Sequence, residues 1–319
     1  MNLKIFPLIT LFAACAFYSC EEENNIKPLS NIDLPQSLIG TRDAMPYAGR
    51  KEIPEIKDPT MFIVHRTDKY GVTYSIEWDK EQRTQRWAAY TLDISNNNKS
   101  WKRDYWSNGT TWKGRYWTGD PFQEDSIIPK ECRTKLTDYS SQRGSWNNRY
   151  DRGHIVNSND RLMSKNANGQ TYYLSNIQPQ LKGFNGSAAD GGIWLNFENK
   201  VNSWGQSLKA EETLYIVKGG TTQKTERINN PFIDDKNIDI KVPAYFFMAI
   251  LKRNTKGEYQ AIGFWAKHEN NSDKNLKKYC KSIDELEELT GINFFHNLDD
   301  VTENEVEKQC NPSNWRIYQ

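Results

Sequence analysis

Residues 150–154 read Tyr-Asp-Arg-Gly-His, and residues 173–180 read Tyr-Leu-Ser-Asn-Ile-Gln-Pro-Gln. The tetrapeptide Asp-Arg-Gly-His at 151–154 places a histidine, which can accept a proton near neutral pH, two residues after a permanently charged arginine. The glycine between them lets the backbone approach closely or turn sharply. Asn185 and the segment from Trp194 to Glu198 follow in order. This ordered set is far more specific than the tetrapeptide alone.

This succession resembles the DNA/RNA non-specific endonuclease family, the ββα-metal nucleases. The resemblance is strongest over 149–204 and extends more weakly from about 60 to 300. It implies an α+β fold with an antiparallel β-sheet core, flanking helices and a ββα-metal (His-Me finger) active-site motif. It also implies a hydrolase that cleaves DNA and RNA without sequence specificity, using a water activated by histidine and a single Mg-type ion.

Phosphodiester hydrolysis needs a base for water, a cation for the charge that develops on the phosphate, and an acid or metal for the leaving oxygen. By the resemblance, His154 is the base and Arg152 binds the phosphate, because a guanidinium offers a charged, bidentate fork. Glu198 lies one helical turn after Trp194 and would hold metal-bound waters or orient a cation. Asn176 would orient the substrate or brace His154 by hydrogen bonding.

The resemblance places the metal ligand at Asn185. One asparagine oxygen is sufficient, because Mg²⁺ keeps several waters and can be held by few protein ligands. Mn²⁺ or another divalent ion would also suit such a site. The spacing departs from the family pattern, since residues 186–190 lengthen the gap from Asn185 to Trp194. Either this insert loops out, or Asp190, at the usual spacing from Trp194, takes the ligand role. We favour Asn185.

A further phosphate-binding arginine is predicted at Arg115, in the sequence Arg-Tyr-Trp-Thr-Gly-Asp-Pro at 115–121. That stretch is similar to an Arg-to-Asp-Pro segment in one branch of the family. Arg103 is the alternative. The tryptophan and tyrosine side chains of 101–117 could stack on bases without reading their sequence, and packing in the core explains them equally well.

Overall charge does not indicate a nucleic-acid-binding protein, since the net charge is +1. Local charge is more informative. In 101–115 four basic residues oppose one acid, and in 130–152 six oppose three, whereas 281–309 holds nine acids and two lysines. The basic excess lies beside the Asp-Arg-Gly-His motif, where phosphate would bind. Ordinary solvated surfaces would produce the same pattern.

The N-terminus predicts export. Lys4 precedes an apolar run over 5–18 that is too short to span a membrane and fits a secretory signal. Cys20 ends this region and is followed by three glutamates, which resembles the lipidated cysteine of bacterial lipoproteins. Cys15 is the alternative lipidation point. We expect a protein anchored by lipid to the bacterial outer membrane or cell surface.

Three segments are predicted along the 319 residues. Residues 1–19 form a signal peptide of the lipoprotein type, 20–58 a polar tether, and 59–319 the endonuclease domain. The hydrophobic content of 37% is enough for one substantial core.

Three cysteines lie beyond the signal segment: Cys132, Cys280 and Cys310. None has the spacing of a structural zinc site. An exported protein can form disulfides, and we favour the pairing of Cys280 with Cys310, which flank the same C-terminal segment.

Short runs rich in β-branched and aromatic residues predict strands, and a longer amphipathic run predicts a helix from about Gly192 to Trp204. Ser282 is a typical start and Gly291 a typical stop for a second helix. Residues 94–149 resemble a long functional excursion, mostly loop. The predicted strands are Met61–Thr67, Val72–Trp78, Trp87–Asp93, Leu214–Lys218, Ala244–Leu251 and Tyr259–Trp265.

Together these features predict an exported endonuclease with DNA and RNA as substrates, the membrane as a lipid-mediated partner and no protein partner. Two alternatives remain open. One is a surface nucleic-acid-binding protein that lacks activity, and the other is a phosphodiesterase for small, non-polymeric substrates.

Overall fold

A seven-stranded antiparallel sheet forms the framework onto which the other elements pack. The computed structural model describes residues 49–139, 150–186, 191–222, 240 and 242–318. The strands in chain order are β1 (Met61–Thr67), β2 (Gly71–Asp79), β3 (Thr84–Leu92), β4 (Thr110–Trp112), β5 (Arg115–Trp117), β6 (Tyr150–His154), β7 (Ile177–Leu181), β8 (Thr213–Gly220), β9 (Tyr245–Arg253), β10 (Tyr259–Lys267) and β11 (Cys280–Lys281). The large sheet has the order β1-β2-β3-β8-β9-β10-β11, while β4 pairs with β5 and β6 with β7.

The helices are mostly short and flank the large sheet. They are α1 (Asp104–Ser107), α2 (Lys165–Gln170), α3 (Lys182–Asn185), α4 (Ile193–Gln206), α5 (Ile283–Thr290) and α6 (Asp300–Glu307). Single turns of 3-10 helix lie at Leu136–Tyr139, Ser158–Arg161, Leu174–Asn176, Leu276–Tyr279 and Pro312–Trp315.

Both faces of the large sheet are buried. Alternate residues of each strand point to opposite sides, so the strands contribute to two apolar clusters. In β3, Ala88 and Tyr90 belong to one apolar cluster, whereas Trp87 and Ala89 belong to the other. Helix α4 covers the first face with Trp194, Phe197 and Val201. Helices α5 and α6 cover the second face with Ile283, Leu286 and Val306.

The motif-bearing part of the chain is an insertion between two neighbouring strands. Strands β3 and β8 are adjacent and antiparallel, yet residues 93–212 separate them. This insertion contains both small hairpins and α1 to α4. Strands β6 and β7 and helix α4 follow one another in the ββα order. The apolar side of α4 packs on the large sheet and so fixes this unit in place.

The C-terminal helix pair begins with a strong capping signal. The Ser282 side chain accepts a hydrogen bond from the backbone N–H of Glu285, and the Glu285 side chain accepts one from the Ser282 N–H. Gly291 ends α5 in the left-handed conformation, with φ of 64°. Both features stabilise helix ends, so the predicted start and stop of this helix are confirmed.

The predicted strands and the α4 helix are present, with ends that differ by a few residues, and the α+β class is confirmed. The described part of the excursion, residues 94–139, contains more regular structure than predicted, because its tryptophans form a core of their own. Trp106, Trp112 and Trp117 are buried with Tyr172 and Tyr173. These three tryptophans are therefore packing residues rather than exposed platforms for bases.

The expected disulfide between Cys280 and Cys310 is not present. Cys132, Cys280 and Cys310 are free thiols, and the Cys280 thiol lies 3.5 Å from the carbonyl oxygen of Leu276, to which it can donate.

Packed structure begins before the predicted domain boundary at residue 59. Ile53 is 4% exposed and lies in the same apolar cluster as Phe294 and Phe295. The Arg50 side chain donates to Glu52 and to the hydroxyl of Ser75. The predicted signal peptide and both candidate lipidation sites, Cys15 and Cys20, lie outside the described residues. Within the described ranges, no helix has the length and apolar character needed to cross a membrane.

Candidate active site

The Asp-Arg-Gly-His motif forms strand β6, which pairs with the Ile-Gln-Pro-Gln segment in β7. Gly153 lies opposite Gln178, and Arg152 lies opposite Pro179. The proline has no N–H to donate, which is tolerated in this two-stranded hairpin. The two sequence motifs are therefore the two strands of one hairpin.

Gly153 is required by a close approach within this hairpin. A Cβ atom at this position would lie 2.3 Å from Cδ and 2.4 Å from Cγ of Gln180. Gln180 is fully buried, so its side chain has little room to move. The reason for glycine is thus space beside Gln180, and not an unusual backbone angle.

A cleft of about 710 Å³ lies beside this hairpin. It brings together side chains from several parts of the chain, among them the 101–122 segment, strand β6, helix α3 and helix α4. Among its lining residues are Arg103, Asp120, Phe122, Asp151, Arg152, His154, Asn185 and Glu198.

His154 lies at the edge of the cleft, packed between aromatic rings. Its ring centroid is 4.9 Å from that of Tyr172 and 5.6 Å from that of Phe122. Burial, reinforced by the nearby positive charges of Arg103 and Lys218, lowers the pKa of His154 to about 3. The imidazole is therefore neutral in the free protein and can accept a proton. Its Nε2 atom is buried and has no hydrogen-bond partner among the described residues.

Two guanidinium groups reach the cleft. Arg152 lies over the ring of Phe122, 4.8 Å from its centroid. Arg103 forms an ion pair with Asp120 and keeps 52% of its side chain exposed. It also lies over the ring of Tyr172. These contacts hold both cations beside His154.

Arg115 does not line the cleft. It is an exposed residue of β5 whose guanidinium lies over the ring of Trp117, 4.1 Å from the centroid. The stretch 115–121 reaches the cleft through its other end, at Asp120. Of the two arginines considered from the sequence, Arg103 lines the cleft, whereas Arg115 lies on the β4-β5 hairpin and does not.

Asn185 ends α3 and lines the cleft. Its Nδ2 donates to Oδ2 of Asp151 over 3.0 Å. This bond uses the amide nitrogen, so the amide oxygen is the atom left to bind a cation. Asp190, the alternative ligand, lies outside the described residues.

Glu198 is held by a partner that the sequence motifs did not reveal. Its Oε1 accepts a hydrogen bond from Lys218 Nζ over 2.9 Å, and the lysine is fully buried. Burial raises the pKa of Glu198 to about 7 although the charge of Lys218 lowers it. Side chains along β8 alternate between the two faces of the sheet, which places Lys218 on the same face as the buried Leu214 and Ile216. This alternation is the sequence signal from which a buried lysine could have been predicted.

Asn176 lies behind the site and not in the cleft. It is fully buried. Its side chain accepts from the backbone N–H of Val156 and donates to the carbonyl oxygens of Val156 and Thr171. Since Val156 follows His154 by two residues, Asn176 fixes the backbone just after His154.

A buried polar network, also absent from the sequence predictions, anchors the next turn. Asp160 accepts from the hydroxyl of Tyr90 and from the side chain of Asn202. Arg161 is 1% exposed and donates to the carbonyl oxygens of Thr73 and Thr91. Buried polar groups with satisfied bonds restrict alternative arrangements, so this network fixes the insertion on the sheet.

The donors around the cleft suit a hard divalent cation. Side-chain oxygens of Asp151, Asn185 and Glu198 line it, and no cysteine of the described chain does. Amide and carboxylate oxygens are the ligands that Mg²⁺ and similar ions prefer.

A sequence profile of the DNA/RNA non-specific endonuclease family matches residues 64–301. The chain belongs to this family. The resemblance drawn from the motifs is thereby confirmed, and with it the predicted hydrolase class of the family.

Individual nucleases show the same relationship. Nuclease C1 of Cunninghamella echinulata var. echinulata is 26% identical over 234 residues, which cover 71% of this chain and 82% of that protein. The mitochondrial nuclease EXOG of Xenopus laevis is 26% identical over 267 residues, covering 77% and 64%. A nuclease of Syncephalastrum racemosum is 28% identical over 190 residues, and the chain spans only 55% of its length.

The fold is shared with a solved member of the family. A chain from the crystal structure of the EndoG/EndoGI complex superposes with a TM-score of 0.56 and 18% identity. The match covers 79% of this chain and 91% of that one. It supports the α+β architecture of the non-specific endonucleases.

The contact between Gly153 and Gln180 generates a stability prediction. Gly153→Ala should lower the free energy of unfolding by about 1–3 kcal/mol, because the added methyl overpacks the hairpin. Gln180→Ala removes the atoms that collide, so the double variant should recover much of this loss. Urea unfolding of the four proteins in the cycle measures the coupling. Additive losses would show that the space beside Gly153 is not the constraint.

Proposed function

We propose that the protein hydrolyses phosphodiester bonds in DNA and RNA without sequence specificity, using one Mg-type ion. The supporting observation is the meeting of His154, Arg103, Arg152 and Asn185 in one cleft of a chain that belongs to the non-specific endonuclease family. Guanidinium groups recognise phosphate, which every nucleic acid presents, and such contacts do not distinguish one base from another.

His154 is the proposed base. Because Nε2 is buried, Nδ1 is the nitrogen left to take a proton from water in the cleft. A phosphodiester anion beside the ring would raise the pKa of His154 from its low value in the free protein, because negative charge favours the imidazolium. Substrate binding thus strengthens the base at the moment when it is needed.

Arg103 and Arg152 are proposed to bind the phosphate and to offset the negative charge that grows on its oxygens. Asp120 orients Arg103 through their ion pair, and the Phe122 ring supports Arg152. Asn185 would hold the metal through its amide oxygen, with Asp151 fixing the amide. When bound, such an ion acts as a Lewis acid and stabilises the leaving 3′ oxygen.

Glu198 is proposed to act in its ionised form, orienting water or the cation through its carboxylate. Lys218 favours that form, since its charge lowers the pKa of Glu198 against the effect of burial. A pKa of about 7 places this equilibrium within the neutral range. The activity should therefore fall as Glu198 becomes protonated.

Plasmid nicking tests the proposed function. The full-length protein should cleave plasmid DNA and a structured RNA with Mg²⁺, and EDTA should abolish both activities. His154→Ala should reduce the rate at least about 100-fold, as loss of a general base does. Folded wild-type protein that cleaves neither polymer with Mg²⁺ or Mn²⁺ would contradict the proposal and favour a binding protein.

The two arginines form a matched pair for testing phosphate binding. Arg103→Ala should lower kcat/KM about 100-fold, because it removes a charged donor from the cleft. Arg115→Ala removes the same group from an exposed hairpin outside the cleft and should change kcat/KM little. Steady-state cleavage of a fluorescent oligonucleotide measures both. The reverse ranking would restore Arg115 as the phosphate-binding residue.

The pair of Lys218 and Glu198 predicts a pH effect. Lys218→Met should raise the pKa of Glu198 further above its usual range, because the stabilising charge is lost while burial remains. The acid limb of the profile of kcat/KM against pH should then move to higher pH. Lys218→Arg keeps the charge and should shift the limb less. An unchanged limb in both variants would show that ionisation of Glu198 does not control the rate.

We further propose that the protein is exported and anchored by lipid on Cys20. The support is the N-terminal sequence alone, an apolar run that ends at a cysteine followed by acidic residues. Metabolic labelling with radioactive palmitate should mark the wild type and not Cys20→Ser. Labelling that persists in this variant and disappears in Cys15→Ser would assign the anchor to Cys15.

A further inference from the structure

The acidic sides of α5 and α6 face each other on the sheet face opposite the cleft. Asp284 and Glu287 are three residues apart on α5, so they share one side of the helix. Glu307 ends α6. One carboxylate oxygen from each of the three residues lies within 4.8 Å of the other two. Like charges at such distances repel each other, so the cluster is stabilised when a proton or a cation lies among the three carboxylates.

Glu307 strengthens the need for such a group. The residue is only 7% exposed, and its Oε1 is buried without a hydrogen-bond partner among the described residues. A buried carboxylate oxygen that has lost its water and found no donor is costly. Most buried polar atoms are hydrogen-bonded, so an exception points to a missing ligand.

Protein groups do not neutralise the cluster. Oε1 of Glu287 accepts from the backbone N–H of Phe294 over 2.7 Å. No ion pair found in the described part of the chain involves Asp284, Glu287 or Glu307. The nearby pair of Lys281 with Glu285 occupies that lysine.

The raised pKa values of Glu307 and Glu287 reflect the same burial and mutual repulsion. Burial, with the negative charges of Glu287, Glu303 and Asp284, raises the pKa of Glu307 to about 8. Burial also raises the pKa of Glu287 to about 7, and Asp284 and Glu303 add to the effect. A bound cation would lower both values, because it favours the ionised carboxylates.

We propose that Asp284, Glu287 and Glu307 bind a calcium ion that joins α5 to α6. All three donors are carboxylates, which suit a hard cation and not zinc or copper. Calcium is commonly held by several protein carboxylates, whereas Mg²⁺ keeps most of its waters and is usually bound by one or two. A cluster of three carboxylates therefore suits calcium better than Mg²⁺. Water and second carboxylate oxygens complete its six to eight ligands.

This site is structural and separate from the cleft. Ile283, Leu286 and Val306 anchor the two helices on the sheet face opposite α4. An ion between the helices would replace repulsion with attraction and tighten their packing on β10. The proposal does not depend on the nuclease activity, because the large sheet separates the two sites.

Calorimetric titration with CaCl₂ tests the site. The full-length protein should carry Asn185→Ala, which removes the candidate cation ligand of the cleft. This protein should bind one calcium ion. Adding Glu307→Gln should weaken that binding more than about 100-fold, because Glu307 is proposed to bind the ion directly. Changes to residues that only support the ligands of a metal weaken binding about 10- to 100-fold. Glu305→Gln makes the same change at an exposed position of α6 and should leave binding unaltered. MgCl₂ should bind at least about tenfold more weakly than CaCl₂.

Thermal unfolding provides a second readout. Excess CaCl₂ should raise the Tm of the Asn185→Ala protein and of its Glu305→Gln derivative, but not of the Glu307→Gln derivative. Asp284→Asn, at a half-exposed position, should also lose the rise and serves if Glu307→Gln fails to fold. Absence of calcium binding would overturn the proposal. If Glu307→Gln also raises Tm at every calcium concentration, the carboxylates share a proton instead of binding an ion. Equal binding of MgCl₂, or equal loss in Glu305→Gln, would overturn it as well.

Discussion

The buried ion pair between Lys218 and Glu198 links the candidate active site to the sheet. Removing two charges from water costs several kcal/mol for each ion, and the cost is recovered only when the partners meet in good geometry. Here Lys218 Nζ meets Glu198 at 2.9 Å and also lies 4.9 Å from the centroid of the Trp194 ring. The indole N–H of Trp194 donates in turn to the carbonyl oxygen of His154. Strand β8, helix α4 and the motif strand β6 are thereby held in one arrangement, since a shift of any of them would leave a buried charge or carbonyl without a partner.

This dependence explains why so long an insertion between β3 and β8 can position catalytic groups. A surface excursion would be mobile, and mobile groups do not hold the geometry that catalysis needs. The insertion is instead attached by buried polar contacts, among them Arg161 to the backbone of β2 and β3 and Asp160 to the hydroxyl of Tyr90 in β3. Asn176 then fixes the chain just after His154. The residues with proposed chemical roles lie at the cleft, while Lys218, Asn176 and Arg161, which fix the surrounding elements, are buried.

The two faces of the sheet serve different purposes. One face supports α4 and the cleft, whose arginines and neutral imidazole suit an anionic substrate. The other supports α5 and α6, where the acidic excess of the C-terminal sequence is gathered. Separating the two charge distributions by a sheet keeps the acids of α5 and α6 away from the proposed phosphate-binding site, because the interaction between charges falls with distance and screening.

Much of this was determined by the sequence alone. The ordered motifs over 150–198 predicted the family and the ββα arrangement, and runs of β-branched and aromatic residues predicted the sheet strands, because both signals are local along the chain. The tertiary structure decided what depends on residues far apart in sequence. It brought Arg103 to His154 and left Arg115 on a hairpin, it paired Lys218 with Glu198, and it turned Asn176 towards the backbone. It also buried the tryptophans of the excursion, left Cys280 and Cys310 as thiols and placed Glu307 beside Asp284. Spacing along the chain does not encode such meetings, because they depend on how the insertion and the helices pack on the two faces of the sheet.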